Sequence, residues 1–154
     1  VQRILEGEYG ELLADVSIVE RIPAGGRTYR NRASAADYTR FLRALWRREL
    51  PGSDELLRLL NLPNGDRVYR GVPTIPVGTH VYDKTGTTSM LCGDRGILVA
   101  ADQGGDRIPY AIVAIIEKGA RPASFRRWVA QRGDVIREVS GLVYRRMRET
   151  HSLR

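Results

Sequence analysis

The sequence predicts an α+β fold: a three-stranded antiparallel meander packed against a long C-terminal helix, with a helical region before it. Three observations predict it. The hydrophobic period is helical over residues 34–60 and changes to two from Gly78. Three strand-like runs, at about 78–86, 94–101 and 108–117, are joined by connections too short for a parallel crossover. A long amphipathic stripe then runs from Phe125 to Met147.

Taken in order, residues 1–13 read as a short helical piece with Ile4, Leu5, Leu12 and Leu13 apolar, weakened by Gly7 and Gly10. Asp15 to Asn31 reads as a loop punctuated by Pro23-Ala24-Gly25-Gly26, and loops of that length in compact domains are often functional. Ser34 is a good N-cap, with Asp37 as the distal partner of an imperfect capping box. Tyr38, Phe41, Leu42, Leu45 and Trp46 then form one apolar helix face, and Arg40, Arg43 and Arg47 the other. Pro51-Gly52 stops this helix. Ser53 is expected to cap a second one carrying Leu56, Leu57, Leu59 and Leu60, and Pro63-Asn64-Gly65-Asp66 to turn the chain.

In the first strand His80, Tyr82 and Lys84 point one way and Val81, Asp83 and Thr85 the other. The middle run Ile97–Ala101 and the third run Ala111–Ile116 are too apolar for a sheet with one wet face, so helices should cover both. Gly104-Gly105-Asp106 signals a hairpin between them. The last helix should begin near Pro122. Its expected apolar stripe is Phe125, Trp128, Val129, Val135, Ile136, Val139, Leu142, Val143 and Met147, with a kink expected at Gly133.

The chain has 154 residues, enough for one domain with a sizeable core. No apolar run approaches the roughly 20 residues that cross a bilayer. Val1-Gln2-Arg3 opens into a polar stretch without a secretory pattern, and a start without Met reads as processed, cloned or cut. The net charge of +7 invites a nucleic-acid reading, but the arginines alternate with acids on helix faces and no nucleic-acid module is present. No nucleic-acid partner is therefore expected. Cys92 is the single cysteine, so no internal disulfide forms; it reads as a small apolar residue. Two histidines and one cysteine without ligand spacing point to no metal and no cofactor.

The chemistry concentrates in Val81-Tyr82-Asp83-Lys84-Thr85-Gly86-Thr87-Thr88. Lysine supplies a fixed positive charge and threonine a hydroxyl donor. Glycine removes a side chain where something must approach the backbone closely. Together these suit an anionic ligand lying along a strand edge.

Lys-Thr-Gly on a strand before a hairpin is one of three signature elements of serine β-lactamases and penicillin-binding proteins. With Gly93-Asp94-Arg95-Gly96-Ile97-Leu98-Val99, the strand from Ile108 to Ile116, and Ile22-Pro23-Ala24-Gly25-Gly26 ahead of the Ser34 helix, about residues 13–148 resemble the C-terminal part of a class A β-lactamase-like domain. The resemblance implies that Lys84 and Thr85, with Gly86, bind the substrate carboxylate, and that Thr87 offers its backbone N–H to an oxyanion. It implies a reinforcing role for Arg95, on a hairpin about two residues longer than the family's. Counting back from Ile22, the family's water-activating glutamate falls on Asp15, a shorter acid; Glu11 and Glu20 are its neighbours.

Two further signatures, Ser-x-x-Lys and Ser-x-Asn, are not found: Val81 and Ile115 stand three places before the two lysines. Residues 1–154 therefore read as the C-terminal portion of one domain. Residues 1–75 would be its helical region and active-site loop, and 76–154 its sheet and C-terminal helix. The resemblance implies a β-lactam or a D-Ala-D-Ala-type peptide as partner, together with the N-terminal part of the same protein, and a periplasmic or extracytoplasmic address. A β-lactamase, a D,D-peptidase and a non-catalytic relative stay open. The sheet edge and the stripe of Trp128, Val135 and Val139 are expected to await a covering partner.

Overall fold

A computed structural model describes residues 1–21 and 30–154. The predicted Ile22-Pro23-Ala24-Gly25-Gly26 punctuation lies outside the described residues. Helix α1 (Gln2–Glu8) is followed by turns and by the base of the predicted loop. There Ser17 pairs with Arg32 in a single antiparallel bridge. The Asn31 side chain accepts from the N–H groups of Val19 and Glu20 and donates to the Glu20 carbonyl.

Helix α2 (Ala35–Trp46) starts where the capping box was expected. Ser34 Oγ accepts the Asp37 N–H at 3.0 Å, and Asp37 Oδ2 accepts the Ser34 N–H at 3.3 Å. Asp37 is buried and also ion-pairs with Arg40. Ser34→Ala should therefore cost about 1 kcal/mol, seen as a lower urea midpoint at unchanged slope.

Helix α3 (Ser53–Leu60) departs from expectation at its start. Gly52, at φ +72°, is the N-cap, while Ser53 is buried and its Oγ donates back to the Leu50 carbonyl at 2.6 Å. The expected turn at Pro63–Asp66 is also displaced. Those four residues run without a turn, and the chain bends after them. Asp66 Oδ1 accepts from the N–H groups of Tyr69 and Arg70 and so makes Asp66 the first residue of the bend rather than the last.

Strands β1 (His80–Thr87), β2 (Leu91–Ala101) and β3 (Arg107–Glu117) form an antiparallel meander in the order β1-β2-β3. The middle strand starts three residues earlier than predicted, because Cys92 and Gly93 still pair with both neighbours and Leu91 with β3. One sheet face carries Tyr82, Ile97 and Val99 and packs on Leu42, Leu45 and Leu57 of α2 and α3. The other carries Cys92, Leu98, Ala100, Tyr110 and Ile112 and packs on α4 (Phe125–His151) through Trp128, Ile136 and Tyr144. Both faces are covered, as the apolar runs required.

Helix α4 runs unbroken through Gly133, so the expected kink is not there. Gly133 is buried, with the side chains of Arg67 and Arg137 3.3–3.4 Å from where a Cβ would stand. The expected stripe also divides. Trp128 is 8% exposed inside the chain's own core and needs no further cover, whereas Val135 (38%), Val139 (42%) and Leu142 (57%) form a separate apolar row. Sequence periodicity merged the two because a wide helix face spans both. Among the described residues, no strand pairs with the outer edge of β3.

Candidate active site

Strand β1 forms the other edge of the sheet. The Thr88 N–H donates to the Leu91 carbonyl at 2.8 Å, which closes the β1–β2 hairpin. In an antiparallel ladder the bonding direction alternates, so the Thr87 N–H, one residue earlier, points to the free edge. The Thr85 carbonyl faces the same way and accepts Lys84 Nζ at 2.8 Å. Lys84 itself is exposed.

The register sets Lys84 directly opposite Arg95, and Gly86 opposite Gly93. Lys84, Gly86 and Arg95 share the face that looks toward α2, while the Thr85 and Thr87 side chains lie on the α4 face. The Arg95 guanidinium crosses toward the hairpin: a Cβ on Gly86 would stand 3.1 Å from its Nη1. It also lies over the Tyr38 ring, 4.4 Å from the centroid. The glycine of Lys-Thr-Gly thus leaves room for the arginine of the next strand. Two cations face each other across one strand pair, an arrangement that costs energy unless an anion joins them.

Asp15 is exposed at the base of the loop. Its N–H donates to Asp37 Oδ2 at 3.1 Å, which ties it to the α2 end that carries Tyr38. Its carboxylate has no partner among the described residues. Glu11 is exposed, and Glu20 pairs with Arg30 at 2.7 Å. The structure therefore groups Lys84, Gly86 and Arg95 on one face, sets the Thr87 amide on the adjoining edge, puts the Thr85 hydroxyl on the reverse side, and links Asp15 only through α2.

Behind the strand lies a cluster that sequence reading missed. Asp83 and Asp94 are 5% and 0% exposed, with Asp66 nearby. Asp94 accepts the Arg67 N–H at 2.5 Å and the Arg95 N–H at 2.8 Å. Asp83 Oδ1 accepts from Asn64 Nδ2 at 2.9 Å, and its Oδ2 is buried without a protein donor. Burial, countered in part by the Asn64 bond and reinforced by the charges of Asp94 and Asp66, pushes the Asp83 carboxyl up to about 7. Burial also raises Asp94, against the two backbone donors that hold it down. The Arg67 guanidinium completes the assembly, donating to the Gly93 carbonyl at 3.1 Å and to Thr87 Oγ1 at 3.0 Å.

This cluster has a defined pH signature. An unfolded Asp titrates near 3.9, while folded Asp83 holds its proton to about 7. Between these values the folded state binds the extra proton, so its stability falls as pH rises and levels off above the upper value. Asp83→Asn keeps an acceptor for Asn64 and removes the buried charge that forms at high pH. Its urea midpoint should exceed that of the unmodified protein at pH 8, and the gain should shrink toward pH 5.

Cys92 is fully buried, its thiol donates weakly to the Val129 carbonyl at 3.9 Å, and burial raises its pKa. It is a core residue. Among the described residues no group of His, Cys, Asp and Glu could hold a metal ion, and no helix is long and apolar enough to cross a membrane.

The fold is the β-lactamase fold. A single-residue mutant of PBP-A, solved as an acyl-enzyme complex with penicillin G, is similar over 94% of this chain and 51% of its own, at TM-score 0.65 and 22% identity. A β-lactamase from Streptosporangium roseum is similar over 93% of this chain and 53% of its own, at TM-score 0.62 and 22% identity. The chain thus spans about half the length of these structures. No curated protein sequence gives a significant match. A family model matches residues 4–147, and the chain belongs to the β-lactamase enzyme family.

Proposed function

We propose that residues 1–154 are the C-terminal, substrate-clamping portion of one penicilloyl-serine hydrolase domain, acting on β-lactams through an acyl-enzyme. The observation that carries this reading is the pair of facing cations, Lys84 and Arg95, beside an unspent edge amide at Thr87. A β-lactam has one carboxylate and one carbonyl that becomes an oxyanion. Lys84 and Arg95 suit the first and the Thr87 N–H the second. Gly86 keeps the approach open. The nucleophile would come from the upstream part of the same protein, in a domain roughly 260–300 residues long.

Asp15 is the weak point for turnover. A carboxylate one methylene shorter than glutamate would activate the deacylating water less well, which favours a long-lived acyl-enzyme. That observation supports the second reading, a D,D-peptidase acting on peptidoglycan peptides. An extracytoplasmic address goes with either.

The test uses the full-length protein. Incubation with penicillin G should add the mass of the intact antibiotic to one serine. Rapid loss of that mass marks a β-lactamase, whereas persistence with D-Ala release from a D-Ala-D-Ala peptide marks a peptidase. A full-length protein that gains no mass and releases no D-Ala is a non-catalytic relative, and the proposal falls.

A further inference from the structure

Arg95 differs from several arginines on the helices. Arg40, Arg58 and Arg137 each meet a carboxylate on their own helix, at Asp37, Glu55 and Asp134. The Arg95 guanidinium meets no carboxylate among the described residues, and directly opposite stands a second cation, Lys84, whose ammonium meets only the Thr85 carbonyl. Repulsion from Lys84 would send a free arginine side chain out into solvent. What holds it is a ring face, that of Tyr38, 4.4 Å from the guanidinium carbon.

Tyr38 is free to serve this purpose. It lies on the first turn of α2, ahead of Phe41, Leu42, Leu45 and Trp46, which pack in the core cluster on this face of the sheet; Tyr38 is not among that cluster's members. Its hydroxyl has no hydrogen-bond partner among the described residues. At the other end of α2, Trp46 meets Tyr82 edge-on, with centroids 5.7 Å apart. The helix packs on the sheet chiefly over β3, with an aromatic contact at each end reaching β1 or β2, and the one nearer the hairpin carries a charge. A planar guanidinium stacked on a ring keeps its in-plane N–H groups free for a bidentate acid.

We infer that Tyr38 is a positioning residue for the anion clamp: its ring face holds the Arg95 guanidinium beside Gly86, so that Arg95 and Lys84 meet a ligand carboxylate together. This rests on the reading given under Proposed function. Tyr38 touches no reacting atom and acts only through Arg95. Its contribution is selectivity for ligands that bear a carboxylate over otherwise identical ligands that do not.

The experiment measures acylation rate constants of the full-length protein with penicillin G and with its methyl ester, which lacks the free carboxylate. Tyr38→Phe keeps the ring and should match the unmodified protein on both. Tyr38→Leu should slow acylation by the acid about tenfold, the scale of a partly desolvated cation–π contact, and leave the slower ester reaction unchanged. Arg95→Lys keeps the charge, loses the stack and leaves α2 intact, so it should reproduce that selective loss even if the Leu variant folds poorly. Adding Tyr38→Leu to Arg95→Ala should cost nothing more. Equal slowing on acid and ester, a Phe variant as slow as the Leu variant, or a Leu variant with full selectivity would each overturn the inference. Lys84→Ala is the control for the underlying reading. If it loses selectivity while the Tyr38 variants keep theirs, only the Tyr38 inference fails; if it too keeps full rate and selectivity, the clamp itself is misplaced.

Discussion

Lys84→Ala should slow acylation of the full-length protein by labelled penicillin about 100- to 1,000-fold, the range for removing a preorganised charged donor from a reaction site. The loss should be large because Lys84 stands on the exposed edge strand, where its charge is supported by Arg95 and opposed by no carboxylate among the described residues. Taking it away halves the positive charge of the clamp and removes the group nearest the edge. Thr87→Pro probes the neighbouring amide. The Thr87 N–H points away from β2, so proline deletes the proposed oxyanion donor without breaking a bond to β2, and edge strands accept proline on that side. Thr87→Ala keeps the amide and loses only the Arg67 contact, so it should acylate far faster than the proline variant. Equal rates for Lys84→Ala and the unmodified protein would remove Lys84 from the site.

Gly96→Ala should be among the most damaging single-methyl additions in the chain. A Cβ there would stand 2.5 Å from the Tyr82 carbonyl oxygen, 2.7 Å from the Asp83 Cβ and 2.9 Å from the Asp83 Cα. Two of those atoms are backbone and the third is fixed to it, so no rotamer change relieves the contact. Relief requires β1 to move away from β2, beside the buried acids and one residue before Lys84. We expect a loss of about 3 kcal/mol, the upper end of what overpacking costs, measured by urea denaturation. Gly119→Ala meets nothing within 4 Å and should stay within about 0.5 kcal/mol of the unmodified protein. A Gly96→Ala protein as stable as the Gly119→Ala control would refute the packing argument.

The local signals proved readable where each residue interacts with its chain neighbours. Ser34 and Asp37 cap α2 from three residues apart, and the change of period at Gly78 marks the sheet. The positions of Lys84 and Thr87 on one strand could be read because Lys-Thr-Gly fixes their spacing. The support behind them was not. Asp83 and Asp94 meet only through the β1–β2 register, and Arg67 reaches both strands from a loop outside the sheet. Tyr38 illustrates a different loss. Helical periodicity assigned it to the apolar face, correctly for its direction, but cannot distinguish a ring that fills a core from one that carries a guanidinium. The Ser53 and Pro63–Asp66 expectations failed because several residues in each stretch could have stopped or started the chain's turn.

Arg67 also shapes how the hairpin tip moves. Its backbone N–H is anchored on a buried acid, but the bond that reaches Thr87 is exposed to water. Beyond that bond the tip is held by Thr88 Oγ1, which accepts from Met90 and Leu91, by the Thr88–Leu91 backbone bond, and by one bond from β3's end, the Lys118 N–H donating to the Met90 carbonyl. A segment held so lightly opens on its own, long before the core strands separate. The amides of Thr88 to Leu91 should therefore trade hydrogen with solvent orders of magnitude sooner than those of Ile97 to Val99. The edge amide at Thr87, the proposed oxyanion donor, sits at the boundary, one residue from the part that breathes.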